Sequence, residues 1–129
     1  MCGISAWVQS GKIQTEKFSF FNDIVSHRGP DAGQIKSYSV LGRDIALGHR
    51  RLSIIDLAES ANQPMAREQY SIIFNGEIYN YIELRKELEG EGLKFLTESD
   101  TEVLLAGYIA WGKRFLHKLN GMFSFLIFY

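Results

Sequence analysis

Cys2 is the only cysteine in the chain, and a single residue precedes it. Removal of Met1 would leave a thiol and a free α-amino group on the same residue. An α-amine has a reference pKa of about 7.7–8.0. It can therefore act as a general base toward its own side chain at neutral pH, directly or through one water. Such a residue can attack an acyl carbon without help from a histidine or a carboxylate. Taken alone, Cys2 reads better as a small buried hydrophobe in an edge strand. His27 and His49 invite a Cys–His dyad or a metal site with Cys2. A zinc site needs three or four ligands in workable geometry, and the remaining histidine, His117, stands near the far end of the chain. Structural histidines and no metal are the expectation.

The elements that must position these residues follow from patterning. Cys2–Gln9 is rich in strand formers and ends at Gly11. Phe18, Phe21, Ile24 and Val25 have helical spacing within 15–25. His27-Arg28-Gly29-Pro30-Asp31 is a turn. Two strands, 34–41 and 45–55, flank hairpin chemistry at Gly42-Arg43-Asp44. Residues 58–67 are polar, contain Pro64 and read as a loop. Tyr70–Phe74 is a short strand buried on both faces, which Asn75-Gly76 ends sharply. A helix over 81–89 places Ile82, Leu84 and Leu88 inward and closes at Gly90 and Gly92. Ser99 caps the next helix, and Glu102 completes a capping box. That helix stops at Gly112. Residues 122–129 form a last strand, unpunctuated at Tyr129, so a shortened domain is expected.

The composition excludes several classes of function. The chain has 129 residues, 46% hydrophobic and 22% charged, which suits one globular domain or a piece of one. A net charge of −1 and the lack of a Lys/Arg run argue against nucleic acid and anionic membranes. No apolar stretch approaches the roughly 20 residues that span a bilayer. One cysteine excludes a disulfide framework and points to a reducing, cytoplasmic setting.

Seven motifs then occur in order. They are Cys2-Gly3-Ile4, His27-Arg28-Gly29-Pro30-Asp31, Gly48-His49-Arg50-Arg51-Leu52-Ser53-Ile54, Gln63-Pro64, Phe74-Asn75-Gly76-Glu77-Ile78-Tyr79-Asn80, Ser99-Asp100-Thr101-Glu102 and Leu119-Asn120-Gly121-Met122-Phe123. Together they resemble the class II glutamine amidotransferase domain of asparagine synthetases, over essentially the whole chain. The resemblance implies an α/β fold, a four-layer α/β/β/α sandwich of the N-terminal nucleophile hydrolase type. Residues 1–129 would be the N-terminal part of that single domain, C-terminally truncated, with the synthetase domain absent.

The resemblance also assigns tasks. Cys2 is the nucleophile. Asn75 and Gly76 form the oxyanion hole through a side-chain amide and a backbone N–H. Arg51 holds the α-carboxylate of glutamine, which suits its planar fork, while Arg50 faces the other way as a surface residue. Glu77 and Asp100 pair with the α-ammonium, and Leu52 and Ile54 supply backbone or wall contacts. Gly29, Pro30 and Arg28 support the N-terminus. L-glutamine is then the substrate, and no metal or cofactor enters its hydrolysis. ATP and Mg are expected only in the missing synthetase domain, which is the implied partner, and a homodimer is left open. The resemblance leaves two other readings: an amidotransferase acting on a sugar or peptide acceptor, and a non-catalytic domain of the same fold.

Overall fold

The computed structural model describes residues 2–53 and 58–129. Its strands are β1 (Gly3–Ser10), β2 (Ala32–Val40), β3 (Arg43–Arg51), β4 (Met65–Arg67), β5 (Tyr70–Ile78) and β6 (Gly121–Phe128). Its α-helices are α1 (Thr15–Asp23), α2 (Tyr81–Gly90) and α3 (Asp100–Trp111). Short 3-10 turns lie at Ser26–Arg28, Glu59–Ala61 and Gly112–Lys118. One antiparallel sheet has the order β1-β3-β2, and a second has the order β4-β5-β6. Helix α1 packs on the first sheet and α3 on the second, with α2 against α3. The inner faces meet where β1 and β3 touch β5. This is the α/β/β/α layering expected from the sequence.

Alternation assigns the faces, because directly opposed residues of an antiparallel pair share one. Trp7 opposes Ala46, and both pack with Ile13, Phe18 and Ile35 under α1. Ser5 opposes Gly48 and donates to Asn22 Oδ1 of the α1 layer at 2.7 Å. The alternate set, Ile4 with His49 and Ala6 with Leu47, faces the second sheet. On β5, Ile72, Phe74 and Ile78 join Leu84, Leu88 and Leu104 in the larger core. Ser71 of the other face meets Tyr38 of β2 through a hydrogen bond between hydroxyls. Four consecutive residues, Ser71–Phe74, are therefore buried.

Several expectations are corrected. Asn75-Gly76 is not a turn: β5 runs on to Ile78, with Asn75 opposite Ser124 and Gly76 opposite Phe123. Pairing with β6, distant in sequence, overrides the local turn preference of Asn-Gly. The 42–44 hairpin turn is instead Leu41-Gly42, since Val40 already pairs with Arg43. Strand β4 occupies part of the expected loop. Ile82 is half exposed, because it lies roughly 200° around α2 from Leu84. Ser99 caps α3 by accepting from the Glu102 N–H at 3.2 Å, but the capping box is not closed. The Glu102 carboxylate reaches past Ser99 and accepts from the N–H groups of Leu96 and Thr97.

The hairpin tip yields a prediction. Leu41 is 98% exposed and has φ 51°, followed by Gly42 at φ 74°. A left-handed non-glycine residue costs about 1–2 kcal/mol, and Asn tolerates that region better. Leu41→Asn restores Asn-Gly in a two-residue turn and should stabilise the protein by about 1 kcal/mol. A urea midpoint that is unchanged or lower would contradict this.

Candidate functional site

A cavity of about 160 Å³ opens between the layers, and Cys2, Arg51, Leu52, Gly76, Glu77 and Asp100 all border it. That volume far exceeds the about 30 Å³ share of one water.

The thiol arrives there by register. Gly3 opposes Arg50, so continuing the pairing sets Cys2 beside Arg51 on the inner face. Leu52 N–H donates to Cys2 Sγ at 3.4 Å, and Sγ lies 3.6 Å from the Leu52 carbonyl. The 27–31 turn holds this end. Arg28 Nε donates to the Cys2 carbonyl at 3.1 Å. A Cβ on Gly29 would lie 2.1 Å from the Arg50 carbonyl oxygen, so only glycine lets the turn close on β3. Asp31 N–H donates to the Arg51 carbonyl at 3.0 Å, and its Oδ2 accepts from Ser53 N–H at 2.7 Å.

Arg51 is 7% exposed. Its Nη1 donates to the Ala58 carbonyl at 2.9 Å and to Asn62 Oδ1 at 2.6 Å, which fixes the guanidinium at the cavity wall. Arg50 points to the outer face as alternation requires. It is not a simple surface residue, however: it is half-buried, 3.4 Å from Asp23, and closes over Gly33.

Strand β5 supplies the opposite wall. Strand β4 covers only residues 70–72 of it. Beyond that point the edge is met by side chains. Phe74 N–H donates to Gln63 Oε1 at 2.6 Å, and Ile78 N–H donates to Asp100 Oδ2 at 3.1 Å. Period-two alternation places the Gly76 N–H on the same edge, between these two occupied donors. Gly76 has φ 148°, and a Cβ there would lie 2.1 Å from the Met122 carbonyl oxygen. Asn75 does not border the cavity. Its Oδ1 is buried without a hydrogen-bond partner among the described residues.

Two titratable groups are shifted by this environment. Burial pushes the Asp100 carboxyl above its usual range; the N–H groups of Ile78 and Thr101 oppose this, and the charge of nearby Glu77 adds to it. His49 is 1% exposed, and its pKa is lowered to about 4. Burial is the main cause, its bond to Phe74 opposes, and Arg51 adds to the lowering. Neutral His49 donates through Nε2 to the Phe74 carbonyl at 3.2 Å. His27 is exposed, with Nδ1 3.2 Å from the Ile24 carbonyl, and does not border the cavity. Among the described residues no three His, Cys, Asp or Glu side chains are grouped to hold a metal.

Of the residues singled out from sequence, Cys2, Arg51, Leu52, Gly76, Glu77 and Asp100 are brought together, and Asn75, next to Gly76 in β5, is not among the lining residues. Ile54 lies outside the described residues. Sequence reasoning gave no task to Gln63 and only a structural role to His49, yet both border the cavity. The Gln63-Pro64 pair and the Gly48–Ile54 motif contain them. Nothing in either pattern tells that their side chains would converge on one peptide edge.

A two-sheet sandwich with a cysteine at the head of β1, facing an inter-sheet cavity, is the plan of an N-terminal nucleophile hydrolase. The comparisons agree. The family model described as a glutamine amidotransferase domain matches residues 1–129. Asparagine synthetase [glutamine-hydrolyzing] 1 of Bacillus subtilis is 51% identical over 116 residues, 88% of this chain and 18% of that protein. Asparagine synthetase [glutamine-hydrolyzing] 3 of the same organism is 41% identical over 134 residues, 98% of this chain and 21% of that protein. Glutamine phosphoribosylpyrophosphate amidotransferase from B. subtilis, solved with ADP and GMP, superposes with a TM-score of 0.76 at 22% identity. That alignment covers 99% of this chain and 35% of the other, and it supports the fold. The chain belongs to the glutamine amidotransferase domain family, and it spans about a fifth of the length of the two synthetases.

Burial of neutral His49 gives a pH prediction. Its folded pKa of about 4 lies below the ordinary 6.5, so between these values the unfolded chain binds the extra proton. The contribution is fully present above pH 6.5 and is lost as pH falls through 4; at full effect it is on the order of 3 kcal/mol. Denaturant titrations at pH 7.5 and 4.5 should show a smaller acid loss in His49→Gln than in the natural protein. Equal losses would contradict the assignment. Arg51→Ala in the full-length protein should raise the glutamine KM by about tenfold or more, with a smaller effect on kcat. A loss confined to kcat would mean that Arg51 does not hold the substrate.

Proposed function

We propose that this chain hydrolyses the side-chain amide of L-glutamine to glutamate and ammonia, with Cys2 as the nucleophile once Met1 is removed. The observation that carries this reading is that Cys2, Arg51, Gly76, Glu77 and Asp100 border one cavity. Arg51 would take the α-carboxylate, and Glu77 and Asp100 the α-ammonium. Leu52 would wall the side chain. Cys2 Sγ attacks the amide carbon while the α-amine accepts the thiol proton. The oxyanion forms against Gly76 N–H and the Asn75 amide, a donor pair whose members are each worth about 2.7–4 kcal/mol of transition-state stabilisation in other enzymes. Among the described residues the Asn75 carbonyl oxygen has no hydrogen-bond partner that would have to be broken for the amide to serve this charge. The carbon–nitrogen bond then breaks, and the amine returns its proton to the departing nitrogen, giving ammonia. Water cleaves the glutamyl thioester, releasing glutamate and restoring the thiol.

Residues 1–129 would be the front part of a glutaminase domain within a longer cytoplasmic enzyme. The remaining length of the synthetase relatives fits a second domain that uses ATP and Mg to activate aspartate and receives the ammonia. Cys2→Ala in the full-length protein should abolish glutaminase turnover and leave synthesis from free ammonium intact. Turnover of glutamine at the natural rate in that variant would refute the assignment.

A further inference from the structure

Phe74 is held on both polar groups of its peptide edge. Gln63 Oε1 accepts from its N–H at 2.6 Å, and His49 Nε2 donates to its carbonyl at 3.2 Å. The two side chains come from different directions. His49 belongs to β3 in the first sheet, so its bond ties that sheet to β5. Gln63 precedes β4, and its Nε2 donates to Thr101 Oγ1 at 3.1 Å, so it ties β5 to the first turn of α3. Both side chains are buried, and both border the cavity. Thr101 follows Asp100, whose carboxylate holds Ile78 N–H. The stretch from Phe74 to Ile78 is thus fastened at each end, with the Gly76 N–H between the fastenings.

We propose that His49 and Gln63 are positioning residues that clamp the Phe74 peptide edge and thereby aim the Gly76 N–H at the oxygen on which charge develops. The proposal rests on the glutamine-hydrolysis reading. Neither side chain gives or takes a proton in the reaction. Gly76 has φ 148°, in a region used by glycine alone, and brings no side chain of its own to fix its peptide, while β6 holds the strand from the other side only. Rotation of the Phe74 edge would carry the following peptides with it. Misplacement of a catalytic group by about 1 Å costs on the order of 100-fold in rate. An oxyanion donor acts on charge absent from bound glutamine, so the loss falls on kcat and spares KM.

The test uses the full-length protein, with active sites counted by an electrophilic glutamine analogue that alkylates a competent Cys2. His49→Leu keeps bulk but removes the N–H donor. It should lower kcat per titrated site by about 10–100-fold with KM within about threefold. His49→Gln restores an N–H at a similar reach and should recover kcat to within about tenfold of the natural enzyme. Gln63→Met removes the acceptor for Phe74 N–H and should match His49→Leu; it carries the test if His49→Leu does not fold. Natural kcat per titrated site in both His49→Leu and Gln63→Met would overturn the proposal. So would kcat losses that His49→Gln fails to relieve, or losses matched by equal rises in KM. Glutamine turnover that survives Cys2→Ala would instead remove the underlying reading, and the clamp with it.

Discussion

Among the described residues, strand β5 has no neighbouring strand on one side beyond Ile72, and the cavity lies along that edge. Strand β4 ends its pairing at Ile72, opposite Met65. Each N–H and C=O on that side beyond it must find another partner or face the cavity, while the alternate groups pair with β6. The fold supplies side chains for Phe74 and Ile78 and a cavity for Gly76. A full-length β4 would have paired the Gly76 N–H and removed it from use. The short partner strand is therefore what makes a backbone donor available in the middle of a rigid, well-paired sheet. On its other side the same strand is paired with β6 from Ser71 to Ile78, which keeps the donor from drifting.

Cys2, the proposed nucleophile, is placed by the same logic applied to the other sheet. Strand β1 pairs with β3 over its whole length, and the register delivers Cys2 next to Arg51. A chain end would ordinarily fray. Here it is tied by Arg28 at the carbonyl and by Leu52 at the sulfur, while the 27–31 turn braces β3 from behind. Glycine at 29 is a packing requirement of that brace. Sulfur and backbone donor thus sit on separate sheets, and His49 is a buried link between those sheets. Its neutrality matters to the fold as well as to the bond, since a charge there would be unmatched next to Arg51.

The layer order, the helix boundaries to within two residues, the Ser99 cap and six of the thirteen described residues that line the cavity were legible in the chain. Periodicity marks α2 and α3, and the ordered motifs mark the family. What stayed hidden depends on distant pairing. Asn75-Gly76 carries a strong local turn signal, and only β6 turns it into a strand. Glu102 sits at capping-box spacing from Ser99, yet tertiary packing sends its carboxylate to Leu96 and Thr97 instead. Strand β4 is too short to show alternation. Gln63 and His49 carry no periodic signal for the bonds they make, because those bonds end on backbone atoms, which are alike at every position.

The charges around the cavity separate recognition from reaction. Asp100 is costly to ionise where it lies, and Glu77 raises that cost further. In the proposed complex an ammonium between them would relieve both the burial and the repulsion, while Arg51 on the first sheet would answer the carboxylate. An α-amino acid backbone carries both charges at a fixed separation, so a ligand lacking the ammonium forgoes that relief and one lacking the carboxylate forgoes the contact with Arg51. Selection of this kind acts on the ground state and can be strong without touching the reacting carbon. In the proposed reaction the other end of the substrate would be served by groups that see only developing charge: the Gly76 N–H, the Asn75 amide and the amine of Cys2. Binding energy collected at the charged head would be available to hold the amide carbon against the sulfur, which is how a half-buried thiol at the head of β1 would act on glutamine in preference to other amides.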